Sequence, residues 1–194
     1  MKIVFAALLA LALGACVTVS NTLSPEQVRS FRLAAVEVTV PPGAVVSWDE
    51  GLSQYDASKG IAHDPFAAPT PEAIAFQRDA IAGKVRTAFE GKLRPRLTGT
   101  RPVRVVVTVR NVTVASPAQR VLIGGNHVVS GDVTVLDAKT GSVLSNFPAQ
   151  TTAAYGGSGI IQTVAEEAIL DRPVDRAVDR FATVYQHWLV PGFE

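Results

Sequence analysis

Side chains that could support catalysis or metal binding are few in this chain. It has one cysteine, Cys16, and three histidines, His63, His127 and His187. No two histidines have the spacing of zinc ligands, and no second cysteine is present to complete a zinc site. We therefore expect neither a metal nor a cofactor, and each histidine is predicted to be hydrogen-bonded or exposed rather than a ligand.

A glycine-rich run, Gly156-Gly157-Ser158-Gly159, is the second candidate. A serine nucleophile elbow needs glycine two residues after the serine, and an isoleucine stands there instead. The run also lacks the lysine of a phosphate-binding loop. Two alternatives remain: an anion site on backbone N–H groups at a helix start, and a simple turn from strand to helix, which we favour. A hydrolase built on Ser158 and His127 is the weakest functional hypothesis, and no catalytic residue is predicted.

The N-terminus carries the strongest pattern in the sequence. Lys2 is followed by an apolar run of eleven residues, Ile3 to Leu13, and then by small residues before Cys16. This arrangement is typical of a secretory signal peptide. The run is too short to cross a bilayer, which takes about 20 apolar residues. We therefore assign residues 1–15 to a signal peptide.

The end of this segment, Leu13-Gly14-Ala15-Cys16, resembles the signal of bacterial lipoproteins. The resemblance implies cleavage between Ala15 and Cys16 and a diacylglyceryl group on the Cys16 thiol, with acyl chains such as palmitate. No thiol would then remain for disulfides or thiolate chemistry. Two acyl chains anchor a protein stably to a membrane. The alternative is an ordinary signal peptide cut after Ala12, with Cys16 incidental.

The mature chain would have a balanced charge. Lys2 leaves with the signal peptide, so the 18 basic residues become 17, against 17 acidic ones. This balance gives no general reason to expect nucleic acid or an anionic membrane surface as a partner. The remaining residues, 16–194, suffice for one domain with its own core.

Helix and strand signals begin after a short tether. Residues 16–23 carry no strong pattern and are predicted to form the lipidated tether, so the periplasmic domain spans 24–194. Ser24, Pro25 and Gln27 predict a capped helix start, and this helix is expected to end near Phe31. Alternation from residue 33 to residue 40 then predicts a half-buried strand.

A long segment without periodicity follows at 41–70. It contains Trp48, Tyr55, His63 and Phe66. A loop of this length is often functional or disordered. Its aromatic side chains could form an adhesive surface for a protein partner, because aromatic residues are enriched at interfaces. The alternative, which we favour, is that they pack the loop onto its own domain.

The rest of the chain predicts two long helices and three strands. A helix from Thr70 to about Arg94 precedes a valine-rich strand, whose apolar parity changes near Arg110-Asn111 and so predicts a β-bulge. Strand segments are predicted at 121–123 and 128–136, with residues 124–127 as either a turn or a kink within one long strand. A hairpin at 137–141 leads to a return strand at 143–152. A second helix is predicted from residue 160, with a break at Pro173 and a solvated face of aspartate–arginine pairs.

The order of these elements defines the expected fold. Consecutive strands with short turns favour an antiparallel sheet, and two amphipathic helices fit on its apolar face. We predict a single-domain α+β fold with an antiparallel sheet of about four strands. Two long helices are expected to pack on one face of that sheet, in the order βαβββα.

Residues 103–144 resemble a group of uncharacterised proteobacterial lipoproteins, alphaproteobacterial ones in particular. The shared pattern is a valine-rich strand, a glycine turn, a second strand, then Asp-x-x-Thr-Gly and a return strand. Asp137, Thr140 and Gly141 match that motif. The βαβββα order is also similar to curli-secretion-type lipoproteins and to auxiliary lipoproteins of ABC transport systems. The resemblance implies no catalytic residue.

We therefore expect a membrane-anchored, non-enzymatic lipoprotein that acts through contacts with envelope proteins in assembly, maintenance or transport. Binding would use an exposed strand edge or the 41–70 loop. Val17 follows Cys16, and the absence of aspartate there resembles outer-membrane sorting in the best-studied bacteria. The domain is thus expected at the outer membrane, facing the periplasm. The alternative is a binding module for a small or glycan ligand, held in a groove between the 41–70 loop and the sheet.

Overall fold

The computed structural model describes residues 21–155 and 172–190. The elements in chain order are α1 (Pro25–Ser30), β1 (Phe31–Thr39), β2 (Val45–Ser47), α2 (Asp49–Lys59), α3 (Pro71–Leu93), β3 (Arg101–Thr113), α4 (Pro117–Ile123), β4 (Asn126–Asp137), β5 (Val143–Tyr155) and α5 (Pro173–Leu189). The predicted signal peptide at 1–15, Cys16, the glycine-rich run at 156–159 and the predicted helix start at 160 lie outside these ranges.

The strands form one mixed sheet in the order β1–β3–β4–β5, with β2 also paired to β3. The pairs β3–β4 and β4–β5 are antiparallel, as the short connections predict. Both β1 and β2 pair with β3 in parallel, so the prediction of a wholly antiparallel sheet of about four strands was wrong. The cause is the helical crossover through α2 and α3, which returns the chain to the end at which β1 began. The α+β single-domain class is confirmed.

Two long helices cover the apolar side of the sheet. Their buried residues are spaced three or four apart: Ile81, Val85, Phe89 and Leu93 in α3, and Val174, Val178, Phe181 and Tyr185 in α5. The rings of Phe89 and Phe181 meet edge to face with their centroids 5.4 Å apart, a favourable aromatic geometry. Within 21–155 and 172–190, no helix combines the length and the apolar character needed to cross a membrane.

Several local predictions are confirmed. Ser24 and Gln27 form the predicted capping box at the start of α1. The register between β3 and β4 shifts between Val109 and Asn111, where the parity change predicted a bulge. Gly141 closes the hairpin with φ of 74°, in the left-handed region that glycine adopts without strain. Local sequence chemistry therefore determines these three features.

Two segments differ from their predictions. The 41–70 segment contains β2 and α2, although it has no hydrophobic period. Residues 121–123 belong to helix α4 rather than to a strand, because Ser116 caps the helix by accepting a hydrogen bond from the Gln119 N–H. The structure describes five helices, where one short and two long helices were predicted.

The charged residues of α5 also differ from expectation. Pro173 is the first residue of α5, and so the predicted break coincides with the start of this helix. Arg172, Asp179 and Arg180 are exposed, as the predicted solvated face requires, but Asp175 and Asp179 are not paired with the neighbouring arginines. They reach α3 instead, where Lys84 Nζ lies 2.6 Å from Asp175 Oδ1 and Lys92 Nζ lies 2.8 Å from Asp179 Oδ1. These ion pairs join the two long helices.

The first described residues are attached to the carboxyl end of α5. The side-chain amide of Asn21 donates hydrogen bonds to the carbonyl oxygens of Trp188 and Leu189, at 3.1 and 3.2 Å. Leu23 packs against the core. Asn21 and Leu23, which were predicted to belong to the tether, therefore contact the domain at this end.

The elements alternate in direction between two ends of the molecule. We call one the tether end: it holds Asn21, α1, the carboxyl ends of α3 and α5, and the hairpin at 137–142. The pairing of the strands brings the start of β1, the start of β3 and the end of β4 together at the tether end. Phe31 pairs with Arg101, and Val103 pairs with Asp137. The opposite, distal end holds residues 40–70, the start of α3 and α4. The 23 residues of α3 separate the two ends by about 33 Å.

Candidate partner-binding surface

Exposed apolar side chains collect toward the distal end. Seven large apolar side chains are exposed among the residues that the structure describes. Six of them lie in the distal half: Val45, Ile61, Phe66, Phe76, Leu122 and Ile123. Exposed apolar side chains of this kind can form the apolar centre of a protein interface. The distal end is therefore the candidate functional surface.

Helix α2 is fixed to α3 through Trp48. This side chain is only 2% exposed. The side-chain amide of Gln77 in α3 donates a hydrogen bond to the Trp48 carbonyl oxygen, and Arg78 donates to the Pro42 carbonyl oxygen at 2.7 Å. Gly51 makes room for the indole ring, because a Cβ at this position would overlap the ring. The prediction that aromatic residues pack this segment onto the domain holds for Trp48.

His63 joins the chain that follows α2 back to that helix. Its Nδ1 lies 2.8 Å from Asp56 Oδ2, and its Nε2 lies 3.1 Å from Asp49 Oδ1. A protonated ring donates to both carboxylates. These hydrogen bonds, chiefly the one with Asp56, raise the pKa of His63 above its ordinary value of 6.5. We call this arrangement the His63 clasp; the histidine is hydrogen-bonded, in agreement with its prediction.

Phe66 lies just beyond the clasp and is 96% exposed. Its backbone is held in a turn, because the Asp64 carboxylate accepts a hydrogen bond from the Phe66 N–H at 2.9 Å. Nearby, the rings of Tyr55 and Phe76 are in contact, with centroids 5.7 Å apart. The sequence left open whether Trp48, Tyr55 and Phe66 pack or adhere. The structure divides them: Trp48 is buried, Tyr55 is half-buried and Phe66 faces solvent.

The surroundings of this surface are acidic. Residues 40–79 contain six acidic and two basic side chains. Asp64 and Glu72 are exposed close to Phe66 in the chain. An apolar centre with a negatively charged rim is suited to an apolar partner segment that carries basic residues.

The other predicted candidates do not form a catalytic or metal site in the described ranges. His127 is fully buried in β4, and His187 is exposed on α5. No group of three potential metal ligands occurs in the described part of the chain. Ser158, the proposed hydrolase nucleophile, lies outside the described residues together with Gly156, Gly157 and Gly159, so their anion-site and turn alternatives stay predictions.

A groove of about 830 Å³ lies between α3 and α5 beside the end of β5. Its walls include Gly83, Thr87 and Ala154, together with the ion pair of Lys84 and Asp175. It does not lie between the 41–70 segment and the sheet, where a ligand groove was expected. There, Trp48 and α2 are packed onto the domain.

No family model and no curated protein sequence matches the chain. Several solved structures match it with high probability, among them the following three. PelC from Paraburkholderia phytofirmans, a dodecamer, is 13% identical with a TM-score of 0.41, over 87% of this chain and 93% of that one. A DUF330-family protein from Xanthomonas campestris is 12% identical with a TM-score of 0.44, over 88% and 89%. A predicted lipoprotein from Caulobacter crescentus is 16% identical with a TM-score of 0.35, over 57% and 80%.

These structures thus include a predicted lipoprotein and a protein of the DUF330 family. The likeness is too distant to assign a function, a partner or an assembly state to this chain. The resemblance to curli-secretion-type and ABC-transport lipoproteins stays a prediction.

Proposed function

We propose that the protein is a non-enzymatic lipoprotein, anchored by a lipid on Cys16 and facing the periplasm, with the outer membrane as the favoured location. It acts by presenting its distal end to an envelope protein, in assembly, maintenance or transport. One observation carries this proposal: the predicted tether joins the domain at one end, and the exposed apolar side chains collect toward the other.

The position of Asn21 supports one orientation of the domain relative to the membrane. From Cys16 to Asn21 the backbone spans at most about 17 Å, and hydrogen bonds attach Asn21 to the end of α5. A lipid on Cys16 would therefore hold the tether end close to the membrane. The distal end would then lie about 33 Å further out, where Phe66 meets periplasmic proteins rather than the membrane of its own anchor.

Photo-crosslinking in living cells tests this proposal. A photoreactive residue at Phe66 should give one discrete adduct with an envelope protein, and Ile61→Ser in the same chain should weaken it because both exposed apolar side chains would contact the partner. A photoreactive residue at His187, exposed near the tether end, is the matched control and should not give that adduct. The absence of an adduct at Phe66, or the same adduct from both positions, would contradict the proposal.

The alternative function is the binding of a small or glycan ligand in the groove between α3 and α5. The groove itself favours this candidate, and its size is within the range of ligand sites. The walls of the groove consist of small side chains and of side chains that already form an ion pair. For this reason we favour the distal surface over the groove as the functional site. A ligand that raises the melting temperature of the wild type but not of a Gly83→Trp variant, which would narrow the groove, would favour this alternative.

A further inference from the structure

Basic side chains gather at the tether end. Residues 21–34, 90–101, 137–142 and 186–190 form this end, and they carry seven basic side chains against three acidic ones. The basic residues are Arg29, Arg32, Lys92, Arg94, Arg96, Arg101 and Lys139. The balanced charge of the whole chain conceals this separation, because the acidic side chains are concentrated in 40–79.

The positive charge at this end is largely accessible to a partner. Arg32 and Lys139 are exposed. Arg29 Nη2 lies 3.8 Å from Glu26 Oε1, and Arg94 Nη2 lies 3.6 Å from Glu90 Oε1. Both arginines are exposed. Such long surface pairs are weak and leave the guanidinium groups free to contact another anion. Of this group, Arg101 and Lys92 have closer partners, in Asp137 and Asp179, and Arg96 also interacts within the chain.

We propose that the tether end docks on the anionic phospholipid headgroups of the membrane that holds the anchor. This membrane is the proposed partner because Asn21, the first described residue, lies at the tether end. Asn21 is bonded to this end and lies at most about 17 Å of chain from the predicted lipid, and so the basic surface lies within reach of the headgroup layer. Basic residues beside a membrane anchor are attracted to anionic lipids within about one Debye length, about 10 Å at 0.1 M salt.

The same contact would fix the orientation of the domain. An acyl anchor alone lets a tethered domain tumble, whereas a charged surface against the membrane directs the opposite end outward. Val143 is the only large apolar side chain that is exposed at this end among the described residues, and it lies at the hairpin close to Lys139. It would enter the headgroup layer beside that lysine. This inference rests on the proposed function, because the lipid on Cys16 would bring the domain to the membrane. Its test uses a chain without that lipid, so the result does not depend on the anchor.

The test measures vesicle binding by the full chain with Cys16→Ala. This substitution removes the lipid attachment site, so that a lipid anchor does not contribute to the binding. The purified protein is sedimented with vesicles of neutral phosphatidylcholine, or with vesicles that also contain phosphatidylglycerol. The tether-end variant adds Arg29→Gln, Arg32→Gln, Arg94→Gln and Lys139→Gln. The matched control adds Lys59→Gln, Arg110→Gln, Arg172→Gln and Arg180→Gln, which remove the same charge from other exposed positions.

The parent protein should prefer the anionic vesicles, and added salt should weaken this binding. The tether-end variant should bind them at least about tenfold more weakly, whereas the control should stay within about twofold of the parent. Equal weakening in both variants, or no preference for anionic vesicles, would overturn the inference. If circular dichroism shows that the fourfold variant does not fold, Arg32→Gln with Lys139→Gln gives the same comparison against Lys59→Gln with Arg180→Gln. An unmodified Cys16 in cells would contradict the anchor but leave this result standing.

Discussion

At the scale of single residues, the distal surface depends on how the aromatic side chains of 41–70 are divided. Trp48 is buried because Gly51 leaves space for its ring, whereas Phe66 is exposed in a turn that Asp64 caps. Both lie in a segment with no hydrophobic period. The sequence therefore could identify the aromatic residues but could not assign each of them to the core or the surface.

The His63 clasp predicts a pH-dependent contribution to stability. The folded-state pKa of His63 lies above the ordinary value of 6.5, so the clasp stabilises the fold fully below pH 6.5 while both aspartates are ionised. This contribution is lost as the pH rises through the raised pKa. His63→Gln should thus lower the free energy of unfolding in mildly acidic solution and have little effect in alkaline solution.

Urea unfolding of the wild type and of His63→Gln across this pH range measures the effect. His187→Gln is the matched control, because this exposed histidine lies on α5, away from the clasp. The difference between wild type and His63→Gln should shrink with rising pH. An equal difference at both ends of the range would show that the protonated clasp does not stabilise the fold.

At the scale of elements, α2 depends on tertiary packing rather than on local signals. It has no side-chain cap at its start, and Trp48 and Gln77 fix it to α3. We expect Gly51→Ala to lower the free energy of unfolding by about 1–3 kcal/mol, because the added methyl group would overlap the Trp48 ring.

Gly91→Ala is the control for this substitution, since a Cβ there meets open space on an exposed part of α3. It should leave stability unchanged or raise it by up to about 1 kcal/mol. Thermal and urea unfolding of both variants provide the comparison. If Gly51→Ala is as stable as the wild type, the proposed packing of α2 over Trp48 is wrong.

The elements also show what the sequence could and could not predict. The capping box of α1, the bulge near Asn111 and the turn at Gly141 follow from local chemistry, and each was predicted. The parallel pairing of β1 with β3 was not, because the pairing partner of β1 depends on where the α3 crossover returns the chain. The end of helix α4, Val121 to Ile123, was assigned to a strand because it is a short apolar run, and the cap at Ser116 was not recognised.

At the scale of the whole molecule, the two ends have opposite character. The tether end is basic, and the 40–79 segment at the distal end is acidic and presents Phe66. Composition alone does not reveal this, since acidic and basic residues balance over the chain. The distribution appears only when the topology places the hairpin at 137–142 beside the start of β1. A lipid on Cys16 would place the basic end against the membrane and the acidic end away from it.

The proposed lipid on Cys16 determines which end of the molecule faces the membrane, and mass spectrometry of the mature N-terminus detects that lipid. The full chain and its Cys16→Ala variant are expressed in a bacterium, and their membranes are fractionated. We predict a wild-type chain that begins at an acylated Cys16 and sediments with membranes, and a Cys16→Ala variant that does not. A soluble wild-type protein with an unmodified Cys16 would contradict the account.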